Sequence, residues 1–188
     1  MKKIDTSIEG AFLFSNSIFT DERGFFKEIF LKREIEQFIK NTKFVQENHS
    51  RSVKNVLRGL HYQNKNPQGQ LVTVFRGEIY ETIVDLRINS STFKKSFSAV
   101  IGSNQEINQI YTPPGVAGGF LVTSEEVDLN YKVTEYYDKQ DERGVNCFDP
   151  ELGICWPEVD YIMNVRDKNY PILSQISEEN LPKVDSSK

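Results

Sequence analysis

The feature that most limits how this chain can fold is a series of short runs rich in β-branched and aromatic residues. They recur at intervals of roughly ten residues, with Gly, Pro and Asn between them. The runs in the middle of the chain span residues 70–75, 79–86, 96–101, 107–112, 119–123 and 127–134. Short strands at this spacing predict an all-β fold, either an antiparallel barrel or a jelly roll.

Helical signal is confined to residues 32–40, where Ile35, Phe38 and Ile39 fall at helical spacing. A second short helix is expected after Pro171. The fold class that follows is all-β with a few short helices.

The length of 188 residues suits one domain with a buried core. We expect that domain to span residues 1–173. Residues 174–188 are polar, and this C-terminal tail is expected to fray. Within the domain, Arg76-Gly77-Glu78 predicts a turn between the first two runs.

The run at 127–134 alternates apolar and polar residues, which is typical of a strand with one buried face. Its apolar set consists of Val127, Leu129 and Val133, and Tyr131 falls in the same alternation. We therefore expect the Tyr131 side chain to point toward the buried side of the strand.

Charge and hydropathy exclude several classes of protein. Lys plus Arg number 23 and Asp plus Glu 27, so a basic face for nucleic acid is not expected. No apolar run approaches the roughly 20 residues that a membrane span needs, and the N-terminal segment lacks the pattern of a signal peptide. The two cysteines, Cys147 and Cys155, form no disulfide or redox motif, which favours free thiols and a cytoplasmic protein.

The two histidines, His49 and His61, do not predict a metal site. Many small jelly rolls, the cupins, hold a transition metal with an HxH pair, a Glu and a later His. Here Gln63 follows two places after His61, and the segment PPGVAG ends with Gly118 where the later ligand would stand. Two histidines so placed cannot build a site of three or four ligands. Either histidine alone is more often structural than catalytic, and His61 is the stronger candidate.

The common motifs of nicotinamide-dependent enzymes, ATP-hydrolysing enzymes and serine hydrolases are also missing. The chain has no GxGxxG after a strand, no GxxxxGK[ST] and no GxSxG. No cofactor is therefore predicted.

A specific combination of segments runs in order along the chain. The segments are FTDERGFFKE at 19–28, FVQENHS at 44–50, NVLRGLHYQ at 55–63, VDLR at 84–87, STF at 91–93, NYK at 130–132, YY at 136–137 and GICWP at 153–157. RGLHYQ is a specific signal in this company. From about residue 4 to residue 173 the chain closely resembles the dTDP-4-dehydrorhamnose 3,5-epimerase family.

This resemblance implies a cupin-type antiparallel jelly roll, a homodimer, and a site without metal or cofactor. The substrate that it implies is a nucleotide-diphosphate sugar, a 4-keto-6-deoxyhexose, with dTDP favoured as the nucleotide. The implied product is a deoxysugar for surface polysaccharide.

Epimerisation beside a ketone needs a base that removes a C–H proton from one face and an acid that returns a proton to the other. Histidine, with an ordinary pKa of about 6.5, suits the base, and His61 is the candidate. The resemblance implies that Asp167 pairs with His61 and that Tyr131 is the acid. Without the resemblance, Tyr131 would be taken for a core residue.

The resemblance also implies that Arg23 and Arg58 bind the diphosphate, where charge-assisted hydrogen bonds are strong. The other residues that it assigns to the substrate are Gln46 and Asn48 for the sugar or phosphates, and Phe26, Glu28 and Tyr137 for the nucleotide.

Two substrate-facing positions depart from the family pattern. The family usually has a lysine where this chain has Gln70, and a second histidine where it has Gly118. Lys65 or Lys168 is a candidate source of the missing charge. Two alternatives follow: an epimerase that acts at C3 or C5 alone of a related 4-keto sugar, and a sugar-nucleotide-binding cupin without activity.

Overall fold

Antiparallel strands make up most of the protein. The computed structural model describes residues 1–39 and 42–183. The strands are β1 (Lys2–Asp5), β2 (Phe12–Ser15), β3 (Ile18–Asp21), β4 (Gly24–Lys27), β5 (Gln46–Val53), β6 (Leu57–Gln63), β7 (Gln70–Arg76), β8 (Glu78–Asp85), β9 (Ser96–Gly102), β10 (Gln109–Thr112), β11 (Val116–Val122), β12 (Glu126–Val133) and β13 (Glu142–Gly144). The helices are α1 (Lys32–Phe38) and α2 (Val165–Lys168), and short 3₁₀ turns span Pro150–Leu152, Leu173–Gln175 and Glu178–Asn180.

The strands form two large sheets and a separate hairpin. The six-stranded sheet has the order β1-β2-β10-β7-β12-β5, the five-stranded sheet has the order β13-β6-β11-β8-β9, and β3 pairs with β4. Leu13, Val72 and Leu129 from the first sheet share one apolar cluster with Ile83 and Val122 from the second. The two sheets therefore pack face to face as a jelly roll, which confirms the predicted fold class.

Each predicted strand is present, with ends shifted by up to three residues. The predicted turn at 76–78 is a corner between the sheets and not a hairpin, because β7 belongs to one sheet and β8 to the other. Gly77 has φ +81°, and a Cβ there would lie 2.2 Å from the carbonyl oxygen of Glu126. Only glycine fits this crossing.

The predicted helix at 32–40 is observed as α1, and Lys40 lies outside the described residues. Its buried Ile35 packs in a cluster with Phe14 and Tyr111. The predicted short helix after Pro171 is the 3₁₀ turn at Leu173–Gln175.

The C-terminal segment differs from the expected fraying tail. Leu181 is buried, the Tyr62 hydroxyl donates to the Asn180 carbonyl at 2.8 Å, and Ile88 N–H donates to the Pro182 carbonyl at 3.1 Å. Ile176 also packs against the apolar cluster that contains Leu181, so residues 174–183 pack against the jelly roll. The rest of the predicted tail, 184–188, lies outside the described residues.

Within residues 1–39 and 42–183, no helix is long and apolar enough to cross a membrane. Cys147 is buried and Cys155 is exposed, and neither forms a disulfide.

Candidate active site

A cavity of about 400 Å³ opens between the two sheets. Strands β5, β7 and β12 of the six-stranded sheet line one wall, and β6, β8 and β11 of the five-stranded sheet line the other. The residues predicted to act on or bind the substrate that line this cavity are His61, Tyr131, Gln46, Asn48, Arg58, Gln70, Gly118 and Tyr137. The fold therefore brings most of the predicted site together.

His61 on β6 is held by a buried carboxylate. Its Nε2 lies 2.9 Å from Oδ1 of Asp167, and Oδ2 of Asp167 accepts a hydrogen bond from Gly59 N–H at 3.1 Å. Burial acts to raise the pKa of Asp167, but the hydrogen bond with His61 and further favourable contacts outweigh it, and the pKa lies below its ordinary value. Asp167 is therefore ionised at neutral pH, accepts a hydrogen bond from Nε2–H of His61, and leaves Nδ1 free to accept a proton.

The short helix α2 positions Asp167. Asn164 is the N-cap, and its side-chain oxygen accepts a hydrogen bond from Asp167 N–H at 2.7 Å. The Arg166 side chain, one residue earlier, lines the cavity. One turn of helix thus supplies both the partner of His61 and a cation.

A β-bulge places Arg58 and His61 in the same cavity. In a regular strand, residues three apart face opposite sides, but the pairing of β6 with β11 shifts register beyond Gly118. Gly59 has φ +120°, and a Cβ there would lie 2.5 Å from the Cα of Gly119. The bulge therefore requires glycine, and it lets the sequence RGLH present a cation and a base on one wall.

Tyr131 faces the cavity from the opposite wall, on β12. It lies on the same side of the strand as Leu129 and Val133, as the alternation predicts. Burial raises the pKa of its phenol, an effect that the charge of Arg58 reduces and that of Glu142 reinforces. The phenol is therefore protonated at neutral pH and can give a proton from this wall.

Amide side chains also line the six-stranded wall. The Nε2 of Gln46 donates to Oδ1 of Asn48 at 2.8 Å, and the Oε1 of Gln46 accepts from Tyr137 N–H at 3.1 Å. Gln70, at the start of β7, faces the same cavity. These groups offer hydrogen bonds to sugar or phosphate oxygens without adding charge.

Arg58 and Arg166 supply positive charge to the cavity. Arg58 donates to the Ser52 hydroxyl at 2.9 Å, and Arg166 pairs with Glu142. The Tyr137 hydroxyl donates to the same Glu142 carboxylate at 2.9 Å. The sequence analysis selected Arg58 but not Arg166. Arg166 directly precedes Asp167, and no motif in the sequence marks it as a binding residue.

The lysines considered as replacements for the family lysine, Lys65 and Lys168, lie away from the cavity lining. Within the described part of the chain, neither Lys65 nor Lys168 lines the cavity. Lys65 lies in the loop after β6 and Lys168 is the last residue of α2, so the cationic side chains that line the cavity in this chain are those of Arg58 and Arg166 among the described residues.

Three predicted binding residues lie outside the cavity of their own chain. Arg23 is in the β3–β4 turn, where it pairs with Asp21, and Phe26 on β4 is 64% exposed. Glu28, just after β4, lines a separate hollow of about 70 Å³. The structure of one chain does not bring these residues to the substrate cavity.

His49, the weaker histidine candidate, also lies outside. On β5, Gln46, Asn48 and Ser50 line the cavity, and His49 falls out of step with them. Its Nε2 lies 3.2 Å from Oδ1 of Asp128. The structural role considered for His49 fits this surface contact.

Among the described residues, no group of three or more His, Cys, Asp or Glu side chains is arranged to hold a metal ion. The cavity instead combines a histidine–carboxylate pair, a tyrosine on the facing wall and two arginines. This arrangement on an antiparallel jelly roll has the groups that acid–base chemistry on an anionic molecule requires.

Comparison with known proteins makes the assignment specific. The model of the family described as dTDP-4-dehydrorhamnose 3,5-epimerase matches residues 5–175. The chain is 42% identical over 175 residues to the dTDP-4-dehydrorhamnose 3,5-epimerase of Methanothermobacter thermautotrophicus, covering 92% of this chain and 94% of the relative. The chain belongs to the dTDP-4-dehydrorhamnose 3,5-epimerase family.

Solved structures agree. A crystal structure of the dTDP-6-deoxy-D-glucose-3,5-epimerase from Legionella pneumophila, in complex with dTDP-4-keto-L-rhamnose, matches with a TM-score of 0.93 and 37% identity, covering 98% of this chain and 99% of that one. A 3′-monoepimerase from Streptomyces bikiniensis, in complex with dTDP-quinovose, matches with a TM-score of 0.88 and 30% identity, covering 95% of this chain and 91% of that one. The fold thus occurs in double-site and single-site epimerases.

The bulge gives a first testable prediction. Gly59→Ala should lower the midpoint of thermal unfolding strongly, because its Cβ meets the β11 backbone and displaces the N–H that binds Asp167. Gly118→Ala is the matched control on the paired strand, since a Cβ there meets only the Glu81 carboxyl at 3.7 Å. Equal midpoints for the two variants would contradict the requirement for glycine at position 59.

Proposed function

We propose that this protein epimerises a nucleotide-diphospho-4-keto-6-deoxyhexose, with the dTDP sugar favoured, by proton transfer beside the C4 ketone and without a cofactor. The observation that carries the proposal is the placement of the His61–Asp167 pair and of Tyr131 on opposite walls of one cavity. Inversion of a carbon needs a base and an acid on opposite faces of the sugar, and this cavity presents them in that relation.

The proposed reaction has two steps. Nδ1 of His61 takes the proton from the carbon beside the ketone, and the electron pair of that C–H bond moves onto the C4 oxygen as an enolate. Tyr131 then returns a proton to the other face of the same carbon, and the ketone re-forms. Asp167 stabilises the imidazolium and fixes its orientation without touching the substrate.

The two arginines of the cavity are the proposed diphosphate ligands in a single chain. The side chains of Arg58 on β6 and Arg166 on α2 line the cavity beside the amides of Gln46 and Asn48. Tyr137, half-exposed beside them, offers a face on which the nucleotide base can stack.

The homodimer belongs to the proposal because part of the predicted site lies on an exposed hairpin. Phe19, Phe25 and Phe26 on β3 and β4 are each at least 60% exposed, an unusual concentration of apolar surface. We propose that a second copy covers this hairpin, and that Arg23, Phe26 and Glu28 bind the nucleotide in the partner's cavity.

A second candidate is an epimerase that acts at one carbon alone. The neutral Gln70 and the missing side chain at Gly118 both change the surroundings of the substrate relative to the family pattern, and a structural neighbour is a 3′-monoepimerase. We place either activity in the cytoplasm, and the two unpaired cysteines support this compartment. The proposed role of the product is to supply deoxysugar for surface polysaccharide.

The base is tested by deuterium exchange into dTDP-4-keto-6-deoxyglucose in D₂O, followed by NMR at C3 and C5. The wild type should exchange at one or both carbons, and His61→Asn should lower the rate roughly 10²–10⁴-fold. Asp167→Asn should cost less, since it disturbs only the tautomer and orientation of His61. His49→Asn is the matched control, and it should exchange like the wild type. Exchange at the wild-type rate in His61→Asn would remove His61 from the mechanism.

Tyr131→Phe should separate proton removal from inversion. His61 still deprotonates the substrate, so solvent deuterium enters, but little inverted product forms because no acid stands on the other face. Product is identified by NMR coupling constants. Tyr161→Phe, which removes a hydroxyl bonded to the Pro157 carbonyl outside the cavity, is the control. Full inversion in Tyr131→Phe would return Tyr131 to the role of a core residue.

Mixed dimers test the hairpin. Arg23→Ala and His61→Asn should each be nearly inactive as homodimers. After the two variants exchange subunits, about half of the dimers carry one cavity with intact His61 next to an intact hairpin, so about a quarter of wild-type activity should return. Absence of recovery, with dimers present by light scattering, would show that the hairpin serves its own chain. A monomer would contradict the homodimer.

A further inference from the structure

The mechanism above leaves one cavity group unused, the carboxyl of Glu81 on β8. Glu81 is 5% exposed and lines the cavity. Its Oε2 is buried and has no hydrogen-bond partner. Of the buried polar atoms without a partner among the described residues, those of Asn16 and Asn108 lie away from the cavity, so Glu81 alone points to a missing ligand there.

Glu81 lies close to the base through the strand order of the sheet. Strand β11 lies between β8 and β6, and its Gly118 is directly paired with His61. Oε1 of Glu81 lies 3.7 Å from the position that a Cβ on Gly118 would take. Because Gly118 has no side chain, no group of that residue separates the Glu81 carboxyl from the space in front of His61.

The surroundings keep this carboxyl uncharged. Burial raises the pKa of Glu81 to about 8, so at neutral pH it carries a proton that it can donate in a hydrogen bond. The charged or titratable groups that share the cavity are Arg58, His61 and Tyr62 from β6, Tyr131 from β12, and Tyr137, Glu142 and Arg166. None of them forms a hydrogen bond with Glu81 within the described chain.

We propose that Glu81 donates a hydrogen bond to the C4 oxygen of the sugar, and that this bond strengthens as the oxygen becomes an enolate. The inference rests on the proposed function, since it names the contact that the reacting ketone makes. The ketone oxygen is two bonds from the carbon that gives its proton to His61, which is close enough for the oxygen to enter the space that Glu81 faces across Gly118. The proton stays on Glu81 throughout, and only the negative charge on the oxygen changes.

This contact supplies a hydrogen-bond donor to the reacting oxygen in a cavity that lacks the lysine usual in the family. Gln70 is neutral where the family usually has a lysine, and Lys65 and Lys168 do not line the walls. A neutral carboxylic acid is a strong hydrogen-bond donor to a developing oxyanion, and it avoids placing a third cation beside the two arginines of the cavity.

The test compares Glu81→Met with Glu81→Gln. Met fills the space but donates no hydrogen bond, so the exchange rate of dTDP-4-keto-6-deoxyglucose in D₂O should fall about 10²–10³-fold. Gln keeps an N–H donor, so its loss should be much smaller. Thr82→Val is the matched control, because it removes a buried hydroxyl from the same strand that bonds Ser98 outside the cavity.

Stability and pH separate this role from a structural one. Met removes a buried unpaired oxygen, so its midpoint of thermal unfolding should be equal to or above that of the wild type. The wild-type rate should fall as pH rises through about 8, because ionised Glu81 cannot donate, and this fall should be absent in Glu81→Gln. A lower midpoint together with an unchanged pH profile in both variants would overturn the proposal.

Binding keeps the inference distinct from the activity. Calorimetry with dTDP-quinovose and with dTDP alone should show weaker binding of the sugar nucleotide to Glu81→Met and unchanged binding of dTDP. If wild type exchanges no proton, the proposed function fails, and these binding data still decide whether Glu81 contacts the sugar. Equal binding of dTDP-quinovose to wild type and Glu81→Met, or equal exchange rates where exchange occurs, would overturn the contact.

Discussion

The buried carboxylate of Asp167 is the contact on which the site depends. It binds the backbone N–H of Gly59 with one oxygen and the ring of His61 with the other, so one side chain fixes both the bulge and the base. Removing a hydrogen-bond partner of a buried ionised carboxylate leaves its charge uncompensated and costs about 1–3 kcal/mol or more. Helix α2, far along the chain, therefore holds strand β6 in the conformation that the chemistry needs.

The sequence predicted the strands whose apolar residues contrast most clearly with the polar turns on either side. Strands β7 to β12 bury β-branched residues and were found, whereas β5 reads QENHSRSV and was not. Its inward-facing positions, Gln46, Asn48 and Ser50, line the cavity and not the apolar core, so the hydrophobic period of a strand is absent. The sequence also could not predict that the chain passes from one sheet to the other at Gly77, because a glycine turn can connect two strands of a hairpin or two strands of different sheets.

The family resemblance selected His61, Tyr131 and Asp167 as candidate reacting groups, and it did not select Glu81. RGLHYQ selects His61, but nothing in the letters says that Glu81, two strands away, faces the same space. A single acidic residue inside the apolar run IYETIVD was the available signal. For Arg23 and Glu28 the resemblance selected residues that lie outside the cavity of their own chain. They lie on or beside an exposed hairpin, whose position in an oligomer depends on a second chain.

Two carboxyls of this cavity are driven to opposite protonation states by their surroundings. Hydrogen bonds lower the pKa of Asp167, so its contribution to stability is present above the ordinary carboxyl range and is lost as pH falls through the lowered value. Burial raises the pKa of Glu81 to about 8. Between about pH 4.3, where an unfolded glutamate titrates, and that value, the folded state binds more protons than the unfolded state. The free energy of unfolding therefore falls as pH rises through this range. Between these limits Asp167 is charged and Glu81 is neutral. In that range one carboxyl can orient the base while the other donates to the oxygen that receives the charge, and a single pH serves both tasks.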